Sequence, residues 1–208
     1  MARQRYNAYI GILPQSSLAR IISESYTTPL GQLVIGTAIK KKLPSTSVVV
    51  FDPVRTCYKE MWGKIQDIQS KHKKVLVGLS LLSGNTEIGF QLAKNCADEG
   101  IDIIIGGSET VGYGAANIMK NRSYIKFGLD SLGERILPQI INGKPFEEIP
   151  GLSYRSNEEI KQTQPDLKFS RIDWLDIGVD YSILDNIGVN VGATYLTVND
   201  CFMPINAV

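Results

Sequence analysis

A doubly wound α/β domain of the flavodoxin-like or Rossmann-like kind, built on a five-stranded parallel sheet, is the fold class this sequence predicts. Three observations carry it. Short aliphatic and β-branched runs recur along the first two thirds of the chain, bounded by Gly, Ser, Pro or Asp. Between them lie segments whose apolar residues return at helical spacing. Strands and helices that alternate in this way pair in parallel through right-handed crossovers and place helices on both faces of the sheet.

The first run is Tyr9–Leu13, stopped by Pro14-Gln15-Ser16-Ser17. Pro29-Leu30-Gly31 then opens a helix with Leu33, Val34, Ala38 and Ile39 on one face. "STSVVVFDP" is β-branched and bounded by Ser and Pro, which predicts a buried strand. Residues 55–71 follow the helical period through Tyr58, Met61, Trp62, Ile65 and Ile68. Strand 75–81, helix 86–99 and strand 102–105 come next. Tyr113–Met119 reads as a short helix and Tyr124–Phe127 as the fifth strand. Leu129–Ile141 reads as a helix with Leu132, Ile136, Leu137 and Ile140 inward, ended by Asn142-Gly143. No internal repeat is visible.

From Phe146 the pattern changes. Leu152–Arg155, the turn Ser156-Asn157-Glu158 and Ile160–Thr163 form a hairpin by their alternation. Residues 165–208 mix Asp, Gly and Ile without a period, and "GVNVGATYLTV" is the strand candidate among them. This stretch cannot close a core of its own. Residues 1–145 are therefore expected to form the domain, and 146–208 a hairpin and irregular tail leading towards a further domain.

Hydrophobic residues make up 43% of the 208, enough for a full core and against disorder. Lys and Arg number 22 against 21 Asp and Glu, so no overall field points to nucleic acid or to anionic lipid as a partner. The basic run Lys40-Lys41-Lys42 ends a helix, where cations suit the negative end of the dipole. "MARQRYNAYIGILPQSS" lacks the apolar core and cleavage site of a signal peptide, and no run approaches the ~18 residues of a membrane span. Cys57, Cys96 and Cys201 are odd in number and far apart, which points to reduced thiols and a cytoplasmic protein, with no local metal motif.

In an open parallel sheet, ligands bind beyond the carboxyl ends of the strands, where the winding reverses. For a flavodoxin-like order that place lies between the first and third strands. The flanking loops are Leu13–Ser17 and Leu82–Asn85, with Gly106–Glu109 beside them. All three are small or polar, so a flat ligand could approach their backbone closely. The start of helix 86–99 adds free N–H groups. Neither GxGxxG nor GxxxxGK[ST] occurs, which weakens a nucleotide reading. The residues themselves do not name the ligand.

In order and spacing, several stretches resemble one family, the N-terminal cobalamin-binding domain of cobalamin-dependent radical S-adenosylmethionine (radical SAM) enzymes. "TTPLGQLVIGTAIKK" is similar to its proline-leucine-glycine helix start, and "VVVFD" to its second strand. "KVLVGLSLLSGNTEIGFQLAK" is similar to its serine-bearing third strand and following helix. "IDIIIGGSE" resembles its strand with a terminal Gly-Gly, and "EEIPGLSYRSNEEIKQTQP" its "IPGL.YR" segment. The resemblance implies cobalamin as cofactor, the corrin ring over the carboxyl ends of the strands and its nucleotide tail beside the third and fourth. By position, Ser80 and Leu82 would line the tail, and Gly106, Gly107 and Ser108 would pass under it. Ser83 and Gly84 would touch the ring edge. A side chain at Gly107 is expected to intrude on the ligand, unless the glycine is demanded by its own backbone angle. The Ser80 hydroxyl needs a partner, which either the protein or the ligand could supply.

Two stretches depart from the family's pattern. Many cobalamin domains carry DxHxxG after the second strand, with His as lower cobalt ligand. Here Val54 stands in that place, so no metal ligand is expected from this loop. The single His72, in "SKHKK", reads as a surface residue. In "FGLDSLGERIL", where the family has an acidic Gly-Glu-Gly-Glu stretch that meets the corrin edge, at most Gly128 and Asp130 correspond, so those contacts are not expected in full.

The sequence contains no CxxxCxxC motif. A 4Fe-4S cluster and S-adenosylmethionine are thus expected only through a further domain or subunit, the radical SAM catalytic part, which would follow "NDCFMPINAV". The leading reading is the cobalamin-binding module of a radical SAM methyltransferase or ring-forming enzyme, not catalytic alone. A free-standing corrinoid carrier or sensor, and a cofactor-free scaffold for protein interaction, are the alternatives.

Overall fold

The computed structural model describes residues 5–14, 29–51, 58–82, 84–130, 132–157 and 159–164, together with the backbone of strands at 194–198 and 201–205. The first compact unit is Met1–Asp166. Its elements run β1 (Ala8–Ile12), α1 (Leu30–Lys42), β2 (Ser47–Phe51), α2 (Tyr58–Lys71), β3 (Val75–Ser80), α3 (Thr86–Asp98) and β4 (Asp102–Gly106). Then follow the short helices α4 (Ser108–Tyr113) and α5 (Ala115–Lys120), β5 (Phe127–Leu129), α6 (Gly133–Ile141), a 3-10 turn at Phe146–Glu148, β6 (Leu152–Ser156) and β7 (Glu159–Gln162).

The strand order is β2-β1-β3-β4-β5-β6-β7. The first five pair in parallel and the last two are antiparallel. The flavodoxin-like order therefore holds, but the sheet has seven strands, not five. The hairpin does not stand apart: β6 pairs with β5 and continues the sheet. Its turn carries Asn157 at φ 49, a left-handed position that Asn tolerates.

Alternation along the central strands feeds two cores. Ala8, Ile10, Ile12, Val77, Leu79, Ile103 and Ile105 pack with Met61 and Ile65 of α2 and with Leu92, Ala93 and Cys96 of α3. Tyr9, Leu76, Ile104, Phe127 and Leu129 point the other way, against Ile39 of α1 and Ile136, Leu137 and Ile140 of α6. Burial pushes the Cys96 thiol up to about 12, so it is a core residue and not a nucleophile. Lys40 ends α1 by donating to the carbonyls of Pro44 and Thr46 at 2.8 and 3.2 Å, in keeping with its reading as a helix-end cation.

Three boundaries differ from the sequence reading. The helix expected over 113–119 runs instead from Ala115 to Lys120, and a short helix that was not expected, Ser108–Tyr113, precedes it. The two are separated by Gly114 at φ 81, a conformation that interrupts the α-helical hydrogen-bond series. The fifth strand lies two to three residues later than expected, because Leu129 is needed opposite Leu152 of β6. The last helix consequently starts at Gly133. In the second unit, Leu167–Val208, an antiparallel pair joins β8 (Thr194–Val198) to β9 (Cys201–Ile205), of which the sequence showed only the first.

Arg155 of β6 fastens the hairpin to the end of α5. Its Nη2 donates to the carbonyls of Met119 and Arg122 at 2.8 and 3.3 Å, and its Nε to that of Ile125 at 3.4 Å. Those acceptors close the turn after α5, where helix-end carbonyls lack partners. Arg155→Met should lower the unfolding free energy by about 2 kcal/mol. Arg155→Lys should restore less than half of it, since an ammonium cannot match the guanidinium fork. Urea denaturation followed by circular dichroism measures both.

Candidate functional site

The winding reverses at β1, which pairs with β2 on one side and β3 on the other. Beyond the carboxyl ends of β1, β3 and β4, three loops are bound into one rim. Asn85, 8% exposed, is the tie. Its Nδ2 donates to the carbonyls of Pro14 and Ser80 at 2.9 and 3.3 Å, and its Oδ1 accepts from Leu82 N–H at 2.8 Å. One side chain thus joins the loop after β1 to the loop after β3. The latter is held to the β4 loop by the backbone, Leu81 N–H to Gly106 at 2.7 Å and Glu109 N–H to Leu81 at 3.2 Å.

Beneath the rim, on the face covered by α1 and α6, lies a cavity of about 50 Å³. Gly78, Ser80 and Gly106 form its floor, and Tyr9, Gln32, Leu129 and Gly133 its walls. A polar relay crosses it. The Tyr9 hydroxyl donates to Gln32 Oε1 at 2.7 Å, and Gln32 Nε2 donates to Ser80 Oγ at 2.9 Å. Tyr9 and Gln32 are 1% and 3% exposed. Burial drives the Tyr9 pKa far above the ordinary phenol range, so it stays a donor. The ring of Tyr9 covers Gly78, where a Cβ would strike the hydroxyl.

The expected site residues divide by what surrounds them. Ser80 and Gly106 face each other across β3 and β4 and both border the cavity. A Cβ on Gly106 would meet nothing nearer than Leu129 at 4.0 Å, so this glycine leaves real space. Leu82 is on the rim and 37% exposed, and Ser108 opens α4 on the same side. Gly84 sits in the rim turn at φ 90 with nothing near its missing side chain. Gly107 borders the cavity but is glycine for another reason. It has φ 106 and ψ −175, and a Cβ would run into the backbone of Leu81.

Gly128 lies against α5, where a Cβ would come within 2.6 Å of Ala115, so it serves helix packing. Asp130 is also committed to structure, accepting from Ala115 N–H at 2.6 Å and from Gln162 Nε2 at 3.0 Å. Ser83 and Val54 lie outside the described residues, as do Gln15, Ser16 and Ser17. His72 follows α2 at the amino end of β3, a full strand away from the rim.

Tyr9, Gln32 and Asn85 belong to the site and were not singled out by sequence. Tyr9 and Gln32 read as strand and helix positions, and a polar Gln amid an apolar face was the available signal. Glu134, in the first turn of α6 beside Gly133, is not among the cavity's lining residues. It is 6% exposed, its Oε1 has no partner among the described residues, and burial raises its pKa.

The rim carries a second pattern. The exposed large hydrophobics among the described residues are Leu30, Tyr58, Leu82, Ile88, Val111 and Tyr113. Leu30 and Tyr58 open α1 and α2, Leu82 follows β3, Ile88 is in the first turn of α3, and the other two lie on the short α4. Each helix starts where its preceding strand stops. Leu30, Leu82, Ile88 and the two residues of α4 therefore stand on the carboxyl-end side of the sheet. Tyr58 instead turns along α2, its ring stacked on Trp62 and its hydroxyl accepting from Asn95 Nδ2 at 2.7 Å in the last turn of α3.

A three-layer domain of flavodoxin-like order, with small-residue loops and an apolar rim at its switch point, is the class that this fold and site define. Among solved structures it is similar to the cobalamin-dependent S-adenosylmethionine radical enzyme OxsB with aqua-cobalamin bound, at TM-score 0.59 and 17% identity over 78% of this chain and 23% of that one. It is similar also to the radical S-adenosylmethionine methyltransferase TsrM from Kitasatospora setae with tryptophan substrate and a SAM analog bound. There the TM-score is 0.58 and the identity 15%, over 76% of this chain and 30% of that one. A second TsrM structure, with cobalamin and a [4Fe-4S] cluster, matches at TM-score 0.57 and 16% identity, covering 79% and 30%. No family model and no curated protein matches the sequence. The likeness shows a shared fold, and it falls on the enzymes that the sequence resembles. This chain spans less than a third of their length. No helix among the described residues is long and apolar enough to cross a membrane.

The two glycines of the β4 loop should behave differently without any ligand. Gly107→Ala should lower the melting free energy by about 1–3 kcal/mol, because only glycine occupies its backbone region cheaply. Gly106→Ala should stay within about 0.5 kcal/mol of the wild type. Thermal denaturation of both variants separates a backbone requirement from a vacated space.

Proposed function

We propose that this chain binds cobalamin across the carboxyl ends of its sheet, as the corrinoid-holding module of a cobalamin-dependent radical SAM enzyme of the methyltransferase or ring-forming type. The rim of exposed hydrophobics carries the reading. Soluble domains seldom leave large apolar side chains together on one edge without a partner for them. A corrin is broad, flat and largely apolar on its faces, and the small loops allow it near the backbone. The likeness to OxsB and TsrM, whose structures hold cobalamin, supports the same ligand.

The residues fit such a group. Leu82, Ile88, Val111 and Tyr113 offer apolar contact for the ring, and the floor at Gly106 offers room below it. Gln32 and Ser80 supply the polar atoms in the groove where a nucleotide tail would lie. The cavity of about 50 Å³ is smaller than an aromatic base. Entry of a tail therefore requires Gln32 to leave its bonds to Tyr9 and Ser80, which would free two donors, the Tyr9 hydroxyl and Gln32 Nε2, and two acceptors, Gln32 Oε1 and Ser80 Oγ. When bound, the corrinoid supplies a cobalt centre able to carry a methyl group, while the chain holds and orients it. The cluster, S-adenosylmethionine and radical chemistry belong to a further catalytic domain or subunit in this proposal, since the sequence has only three cysteines and no CxxxCxxC.

Protein incubated with hydroxocobalamin and desalted should retain the corrinoid spectrum between about 350 and 550 nm. Gly106→Val, which fills the floor, should lose most of it while keeping the circular dichroism of the wild type. An unretained cofactor on folded wild-type protein would overturn the reading.

Cobalt should carry no nitrogen from this protein on its lower face, because an aliphatic Val54 has no lone pair to give and His72 is at the other end of β3. A tail held in the groove by Gln32 and Ser80 would keep its benzimidazole away from the metal as well. Electron paramagnetic resonance of the cobalt(II) form should show high-field lines without nitrogen triplets. Triplets would refute this placement of the tail.

A further inference from the structure

The amino-terminal end of the sheet holds a second and larger cavity, about 530 Å³, that the corrinoid reading leaves unused. Its charged lining comes from the segments that enter the strands: Arg5 before β1, His72, Lys73 and Lys74 before β3, Asp102 at the start of β4 and Lys126 before β5. Its volume falls within the roughly 300–1,000 Å³ of small-molecule sites.

The charge there is lopsided. The single carboxylate, Asp102, is already engaged, its Oδ2 accepting from Lys126 Nζ and from the Tyr6 hydroxyl, each at 2.6 Å. Four permanent cations against that one carboxylate leave an excess of three positive charges. The Arg5 guanidinium stacks on Phe146 at 3.8 Å from the ring centre, which fixes its plane. Its Nη1 is buried and has no hydrogen-bond acceptor among the described residues.

Helix ends explain part of this. α2 and α3 finish at the same end of the sheet, and cations suit their carboxyl termini. Gln69 already donates to the Glu99 carbonyl at 2.6 Å beyond α3. Arg5 lies on no helix, however, and its charge beside three lysines is not accounted for by dipoles. An anion in the cavity would balance the excess. Arg presents a planar fork suited to phosphoryl oxygens, and flanking lysines add point charges.

We propose that this cavity is a binding site for a small, multiply charged phosphate anion of the di- or polyphosphate class, separate from the rim at the other end of the sheet. Isothermal titration of the full chain with inorganic pyrophosphate, at fixed ionic strength and without corrinoid, tests it independently of the proposed cofactor. Wild-type protein should bind one equivalent saturably. The double variant Lys73→Ala with Lys74→Ala, both exposed and outside the core, should bind about tenfold more weakly, as expected for lost charge-assisted contacts. Lys59→Ala, on the exposed start of α2, should bind as the wild type does. ADP in place of pyrophosphate distinguishes the source of the phosphate. Equal affinity indicates an inorganic anion, and tighter binding of ADP a nucleotide. No saturable heat with folded wild-type protein, or an equal loss in Lys59→Ala, overturns the proposal.

Discussion

The carboxyl end of this sheet depends on one buried amide. Loops that leave neighbouring strands at a switch point have no ladder to hold them together, because the helices that follow run off to opposite faces. Asn85 replaces the ladder, with two donors on one nitrogen reaching Pro14 and Ser80 and an oxygen reaching back to Leu82. An amide suits this role because it carries donors and an acceptor on one short, planar group. An aspartate there would present acceptors to carbonyl oxygens. Without the tie, the loop after β1 would be independent of the loop after β3, which backbone bonds from Leu81 and Glu109 keep joined to the β4 loop.

The two ends of the sheet have opposite characters. The carboxyl end gathers the exposed apolar side chains and small loops, whereas the amino end gathers the cations. The near-zero net charge hides this division, since a sum over the chain carries no direction. A flat, largely apolar ligand and a compact anion would each find one end suitable and the other unsuitable.

Much of this was legible in the sequence, for physical reasons. Val75–Ser80 and Asp102–Gly106 are buried on both faces, so they read as unbroken apolar runs, and their positions emerged within a residue or two. The helices α2 and α3 declared themselves by period. In α1 the expected face was half right, since Ala38 and Ile39 are buried but Leu33 and Val34 are only half-buried, and Gln32 and Gly36 take the inward places. The fate of the hairpin did not, because alternation shows that Leu152–Ser156 is a strand but not which edge it joins. In the site, glycine was visible but its reason was not. Gly106, Gly107 and Gly128 look alike as letters, and only the surroundings reveal space, backbone angle and helix contact respectively. Gln32 and Tyr9 escaped because their importance lies in a contact between residues 23 positions apart.

That contact bears on how a ligand could gain from the groove. The Tyr9–Gln32–Ser80 relay is satisfied within the protein, so a tail that displaced Gln32 would exchange protein hydrogen bonds for ligand hydrogen bonds. Such an exchange yields little net free energy, as for any hydrogen bond traded against another. The favourable part of binding must then come from covering the rim, at about 25 cal/mol for each Å² of apolar surface removed from water. The groove would thus act mainly in discrimination. A tail lacking polar atoms to replace the relay would leave Gln32, Tyr9 or Ser80 buried without a partner, and that penalty is larger than the bond's net worth. In the proposed function, affinity on the rim and selectivity in the groove would follow from the same division of apolar and polar residues.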